Sequence, residues 1–284
     1  MTTIDQVDFS YNGSPLFHQL NLTLEKGNIY GLLGLNGAGK TTLMKLLTGL
    51  LTPTGGALTV LGEKPASRNP SFLSQVFVLP EELNIPSITE KEFLATRAPF
   101  YPRFDRDLFE RCMTAFDSPR GRRLNKLSYG QKKKFLLSFG LACGSELLIL
   151  DEPTNGLDIP SKGLFRRLVA EGLTEDRIFV LSTHQVRDVE SLIDPIIILH
   201  EGQVLYSQTM EEISQSLHMT RTSMAPSPQE EGLLYTEAVV GGHWSVWEGA
   251  DEEGGPVDLE VLFNAVISGI SQSHSWLEGK GGEA

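Results

Sequence analysis

The sequence predicts an α/β protein built on a mostly parallel sheet, and two observations carry that reading. First, Leu147-Leu-Ile-Leu150, Ile178-Phe-Val-Leu-Ser182 and Ile196-Ile-Ile-Leu199 are continuous apolar runs separated by helical segments. Runs without polar alternation suit strands buried on both faces of a parallel sheet. Second, the apolar run Ile29-Tyr-Gly-Leu-Leu33 leads into Gly34-Leu-Asn-Gly-Ala-Gly-Lys-Thr41, and Thr42-Leu-Met-Lys-Leu-Leu47 continues with helical spacing. Strand, glycine-rich turn and helix, in that order, is the context in which G-x-x-x-x-G-K-[ST] binds phosphate.

The elements follow in order. Residues 4–33 read as short strands around Tyr11-Asn-Gly-Ser-Pro15, a turn rich in turn-forming residues. After the glycine loop and its helix, Pro53-Thr-Gly-Gly56 introduces a strand at 57–61, and a further β-type run at 75–79 is ended by Pro80. From about 87 to 125 the character is helical, interrupted by Pro99 and Pro102. The three apolar strands come next. Ser223-Met-Ala-Pro-Ser-Pro-Gln229 reads as a linker, with an acidic tail beyond it. In that tail, 233–240 and 243–247 look like a hairpin around Gly241-Gly242.

Composition sets bounds. A chain of 284 residues can hold one large domain and a small one, and 40% hydrophobic content is ordinary for a globular protein. The amino terminus lacks the basic start and apolar stretch of a signal peptide, and nowhere do 18 apolar residues run together. Cys112 and Cys143 sit in unrelated contexts and read as reduced thiols. Residues 216–284 hold 11 Asp/Glu against 2 Lys/Arg, so −9 of the net −12 lies there and −3 in residues 1–215. This acidic excess argues against nucleic acid as the main partner. The short clusters Lys132-Lys-Lys134 and Arg120-Gly-Arg-Arg123 read as solvated helix and loop charge.

The chemistry concentrates at strand ends. The glycine loop would cradle phosphates with backbone N–H groups of Asn36, Gly37, Ala38, Gly39, Lys40, Thr41 and Thr42, aided by the positive end of the following helix. Lys40 would reach the β- and γ-phosphates, and the Thr41 hydroxyl would bind Mg²⁺. Asp151 and Glu152 end an apolar strand. Alone they would read as a solvated turn, but beside a phosphate loop Asp151 suits the Mg²⁺ shell and Glu152 suits polarising a water.

Leu127-Ser-Tyr-Gly-Gln131 completes the set, because here the chain resembles the nucleotide-binding subunit of ATP-binding-cassette (ABC) transporters, whose signature is usually Leu-Ser-Gly-Gly-Gln. The resemblance covers about 1–215. It implies a P-loop ABC cassette with an antiparallel β subdomain and a helical subdomain at about 87–140, followed by a small α+β module over 216–284. It implies that Ser128, Gly130 and Gln131 contact the γ-phosphate held by a partner subunit, with Tyr129 in place of the first glycine. Pro153-Thr-Asn-Gly-Leu-Asp158 resembles the loop that runs between subunits, ending in Asp158. His184 falls where the family has its switch histidine. Tyr11 matches the aromatic that stacks on adenine, although a packed loop aromatic would look the same. One motif departs: Glu81 stands where the family has a glutamine that serves Mg²⁺ or water.

Residues 93–116 look like the helical subdomain that docks on a membrane subunit in exporters, and 257–263 is similar to the helix that ends many such subunits. The implied protein is an ATPase subunit with ATP and Mg²⁺, forming a homodimer and powering an integral membrane permease in export. Its implied place is the cytoplasm, peripheral on the inner face of the cell membrane through that permease. A soluble ABC ATPase acting on ribosomes or DNA is the alternative, and one cassette without heptads or basic arms argues against it. A non-hydrolysing regulatory subunit fits less well, since Glu152 and His184 are both present. The tail, with Trp244, Trp247 and Trp276, reads as a folded module packing on the cassette or on the twin subunit's tail, with the chemistry wholly in 1–215.

Overall fold

A computed structural model describes residues 1–250 and 257–269 of the chain. The first two strands, β1 (Thr2–Tyr11) and β2 (Ser14–Leu24), form an antiparallel pair. Asn12 and Gly13 join them, both at positive φ (49° and 85°), the backbone a two-residue hairpin turn requires. β4 (Gly55–Thr59) covers the other edge of β1, two residues earlier than the sequence suggests.

The central sheet has six strands: β3 (Asn28–Leu33), β5 (Val76–Leu79), β6 (Leu147–Asp151), β7 (Ile178–Thr183), β8 (Ile196–His200) and β9 (Gln203–Gln208). Their spatial order is β5-β6-β7-β3-β8-β9; the first five are parallel, and β9, which the sequence reading lacked, runs antiparallel on the edge. Period-two alternation divides their side chains between two cores. Tyr30, Leu32, Ile149, Val180 and Ile197 join the core under the β2-β1-β4 sheet and α1 (Lys40–Leu47). Leu33, Leu148, Leu150, Phe179, Leu181 and Ile198 point the other way. Both faces being covered explains why these strands carry no polar residues until their ends.

A four-residue helix, α2 (Pro70–Leu73), leads into β5. The helical subdomain comprises α3 (Glu90–Arg97), α4 (Arg106–Ala115) and α5 (Tyr129–Ala142). Its interior is aromatic: Phe93 meets Phe135 and Phe139 edge-on at 5.1 and 5.0 Å, and Phe104, Phe109 and Tyr101 fill in around them. Such contacts add about 0.5–1.5 kcal/mol each beyond area burial. α6 (Ile159–Gly172) packs on the same side of the sheet.

The carboxyl-terminal part consists of α7 (Met210–Ser216), β10 (Leu217–Thr222), β11 (Leu233–Val239), β12 (Gly242–Glu248) and α8 (Leu259–Gly269), with strand order β10-β12-β11. The expected hairpin is present as β11 and β12. The stretch 223–229 is not a linker between domains, because β10 before it pairs with β12 after it. It is a loop inside the module. Leu217, Met219, Val246, Leu259, Leu262 and Val266 belong to the same continuous core as Ile196 and Ile198 of β8, so the module packs on the cassette of its own chain. Trp276 and residues 270–284 lie outside the described residues. Among the described residues, no helix is long and apolar enough to cross a membrane.

Candidate functional site

The carboxyl ends of β3, β6 and β7 deliver the chemistry-bearing residues to one place. Tyr11, Asn36, Gly37, Gly39, Lys40, Thr41, Thr42, Glu81, Asp151 and Glu152 line a single cleft of about 350 Å³. Its floor is the start of α1. Gly39 caps that helix at φ 111°, a conformation open to glycine, and a Cβ there would sit 2.7 Å from the Phe17 ring. No side chain caps α1, whereas α3, α4, α5, α6 and α7 are capped by Thr89, Asp105, Ser128, Asp158 and Thr209. The first N–H groups of a helix have no partner within it. At α1 they and the helix dipole are left for an anion.

Lys40 is buried and curls over this loop, its Nζ donating to the carbonyls of Gly34 (2.6 Å) and Leu35 (3.1 Å). Burial lowers its pKa, while Glu152, Asp151 and Glu81 pull it back up. Ala38 is turned away. Its methyl is in the core and its N–H donates to Leu35 O at 3.2 Å. The Tyr11 ring is 44% exposed, stands edge-on to Phe9 and makes a 3.2 Å hydroxyl contact with Thr42 Oγ1.

The acids occupy different surroundings. Asp151 Oδ2 accepts from Thr41 Oγ1 at 3.2 Å, and its Oδ1 accepts from the Ser182 hydroxyl. A hydroxyl and a carboxylate side by side are hard oxygen donors of the kind Mg²⁺ takes. Among the described residues no three His, Cys, Asp or Glu side chains gather to hold a metal unaided.

Glu152 is buried, with φ at +47°. Its Oε1 accepts from the His184 backbone N–H (3.0 Å) and from Nδ1 of the same ring (2.7 Å), and Oε2 accepts from Thr183 Oγ1 (3.3 Å). An ionised carboxylate only accepts, so Nδ1 carries the proton in this contact and Nε2 is left to the outer side of the ring. His184 also lines a neighbouring cavity of about 580 Å³ that includes Leu35, Asn36, Arg187 and Glu260. Glu260, Phe263 and Asn264 of the module's α8 thus line the same cavity as the histidine. Ser182 and Thr183 were missed as partners of the acids; two small hydroxyls at the end of an apolar strand were the available signal.

Glu81 reaches the cleft with its carboxylate, which accepts from Asn155 Nδ2 at 3.5 Å. Ser128, Gly130 and Gln131 do not line the cleft of their own chain. Ser128 and Gln131 cap α5 reciprocally: Ser128 Oγ accepts from Gln131 N–H (3.2 Å) and Gln131 Oε1 accepts from Ser128 N–H (3.0 Å). Gly130 touches the turn after Glu152, where a Cβ would lie 2.5 Å from Gly156 O. Asp158 caps α6 through Ser161 N–H (2.8 Å) and pairs with Lys134. One reading fails outright. Lys133, which the sequence reads as solvated charge, is fully buried, and its Nζ donates to the Glu152 carbonyl.

The family model described as ABC transporter matches residues 17–155. The "ABC transporter ATP-binding protein NatA" of Bacillus subtilis (strain 168) is 30% identical over 69% of this chain and 83% of its own length. The "SkfA peptide export ATP-binding protein SkfE" of the same organism is 32% identical over 71% of this chain and 87% of its own. Among solved structures, an ATP-binding subunit of an ABC transporter superposes with a TM-score of 0.69 at 25% identity, covering 75% of this chain and 91% of that one.

Proposed function

Because the chain belongs to the ABC transporter family as an ATP-binding subunit, we propose that it binds ATP with Mg²⁺ in the cleft above α1, hydrolyses it, and so powers export through a separate membrane subunit. The uncapped start of α1, with Lys40 beside it, is the observation that carries this reading. On binding, Lys40 exchanges the carbonyls of Gly34 and Leu35 for phosphate oxygens, while the loop N–H groups take the phosphates that no side chain caps. Tyr11 offers its exposed ring to the adenine. Thr41 and Asp151 would hold Mg²⁺, which supplies charge neutralisation at the phosphates. Glu152 accepts the proton of the attacking water, and His184 fixes the orientation of that carboxylate.

Ser128, Gly130 and Gln131, which do not line the cleft of their own chain, complete the site of a second copy. Both halves of a composite site are present in this one chain, so a homodimer suffices. Contact with the membrane subunit falls to an apolar groove of about 570 Å³, where Leu50, Val76, Val78 and Tyr101 meet the 68% exposed Phe100.

The test is Lys40→Ala followed by calorimetric titration with ATP. Loss of this charge-assisted contact costs about 1.5–3 kcal/mol, so affinity should drop at least tenfold and turnover should vanish. Unchanged affinity would remove the reading.

A further inference from the structure

Lys133 is a buried cation that the mechanism above leaves unused. It lies early in α5, and none of its surface reaches solvent. Its Nζ donates to Glu152 O and stands 5.0 Å from the centre of the Tyr129 ring, one turn earlier on the same helix face. That ring lies against the turn after Glu152, where a Cβ on Gly156 would come within 2.5 Å of it. The Tyr129 hydroxyl donates to Glu81 O at 2.9 Å. One face of α5 is thus fastened to both loops that bring carboxylates to the cleft.

Stability does not explain this lysine. Burial lowers its pKa to about 8, against the opposite pull of Glu81, Glu152 and Asp151. An apolar side chain of similar volume would avoid that desolvation cost. What Lys133 touches does explain it. Glu152 holds φ +47°, which a residue with a Cβ keeps only where its surroundings over-determine it. Here its N–H donates to Ser182 O (3.1 Å), and its carboxylate is held by His184 and Thr183. Its carbonyl accepts both from Asn155 N–H within the turn (3.2 Å) and from Lys133, the attachment that reaches this carbonyl from α5.

We propose that Lys133 is a positioning residue for hydrolysis, which fixes the left-handed turn at Glu152 and ties it to the helix whose start carries Ser128, Gly130 and Gln131. The inference rests on the reading of Glu152 as the carboxylate that activates water. It also links the two sites of a dimer, since a shift of α5 toward a partner's nucleotide is felt at Glu152 in its own chain.

The test compares the full-length parent, Lys133→Met and Lys133→Gln for kcat, KM, calorimetric ATP affinity and thermal unfolding. For Lys133→Met kcat should fall tenfold to about a hundredfold, the scale of an ångström-sized misplacement. KM and ATP affinity should stay within about twofold, and Tm should hold or rise, because a buried charge has gone. Lys133→Gln, which keeps an N–H donor near the same carbonyl, should recover part of kcat. A parent-like kcat in Lys133→Met beside an active parent sinks the proposal alone. So does a kcat loss matched by equal losses of affinity and Tm, which marks general damage. A parent that binds ATP and turns none over would sink the reading of Glu152 first.

Discussion

Replacing Glu152 by glutamine separates chemistry from structure, because the surroundings of the carboxylate set two very different magnitudes. In the parent, Oε1 accepts from His184 N–H and Nδ1, and Oε2 accepts from Thr183 Oγ1. A glutamine keeps an oxygen at the first place. Its amide at the second can donate to the Thr183 hydroxyl, which has lone pairs to accept. The Thr183 oxygen already accepts from Gln185 N–H (2.9 Å) and has a second lone pair for the amide, but its own buried proton loses the carboxylate. The stability cost joins that loss to the loss of charge assistance, about 1–2 kcal/mol. The left-handed backbone disfavours both residues alike.

Hydrolysis is a different matter, since an amide cannot take a proton from water. Removing a general base costs about 10²–10⁴ in rate, or roughly 3–5 kcal/mol of barrier. Phosphate release at saturating ATP and Mg²⁺ should therefore drop by at least two orders of magnitude, while calorimetric ATP affinity stays within about threefold. With turnover blocked, size-exclusion chromatography with ATP should show twice the monomer mass. A variant hydrolysing within threefold of the parent would show that Glu152 is not the base. A fall in Tm of more than a few degrees would show that the hydrogen-bond accounting is wrong.

Two further outcomes follow from burial. Ending the chain after Ser216 strips Leu259, Val261, Leu262, Val266, Val246 and Met219 from the shared core. At about 1.5–3 kcal/mol for each large apolar side chain, that loss rivals the whole stability of a domain, so the fragment should unfold or aggregate at room temperature; a soluble fragment with the parent's Tm would refute the packing. The second outcome concerns pH. With its pKa lowered from 10.5 to about 8, Lys133 binds its proton more weakly folded than unfolded, so parent stability gains between pH 8 and 10.5. The Tm advantage of Lys133→Met at pH 7 should narrow by pH 10, and a gap independent of pH would refute the assignment.

The phosphate loop, Asp151, Glu152 and His184 were legible because each ends a strand that alternates with nothing. A polar residue after a doubly buried run has to stand at the sheet's edge, and parallel strands bring all such edges to one side. Lys133 was illegible for the opposite reason. Three consecutive lysines step about 100° apart around α5, and only tertiary packing decides which of them meets the turn at Glu152 rather than solvent. The β10–β12 pairing was hidden as well. Leu217-His-Met-Thr-Arg-Thr222 has little apolar alternation, and its partner lies across a loop that by composition looks like a boundary. The acidity of the tail drew attention to charge, whereas its place in the fold is set by the apolar side of α8.

The reciprocal cap at the start of α5 has a consequence for what that end of the helix can recognise. Ser128 gives up an oxygen lone pair to Gln131 N–H, and Gln131 gives up its amide oxygen to Ser128 N–H. What the cap consumes is acceptors. The Ser128 O–H and both N–H bonds of the Gln131 amide are spent on no acceptor among the described residues. Each oxygen keeps one lone pair, but the three free N–H and O–H bonds outnumber them, so the side chains at this end of the helix present mainly donors, set over a helix dipole of the same sign. A ligand rich in lone pairs finds three protons waiting, whereas a cation or a hydrogen-bond donor finds little to bind. Selectivity for the sign of the incoming group is in place before any second molecule arrives, as a by-product of the same two bonds that start the helix.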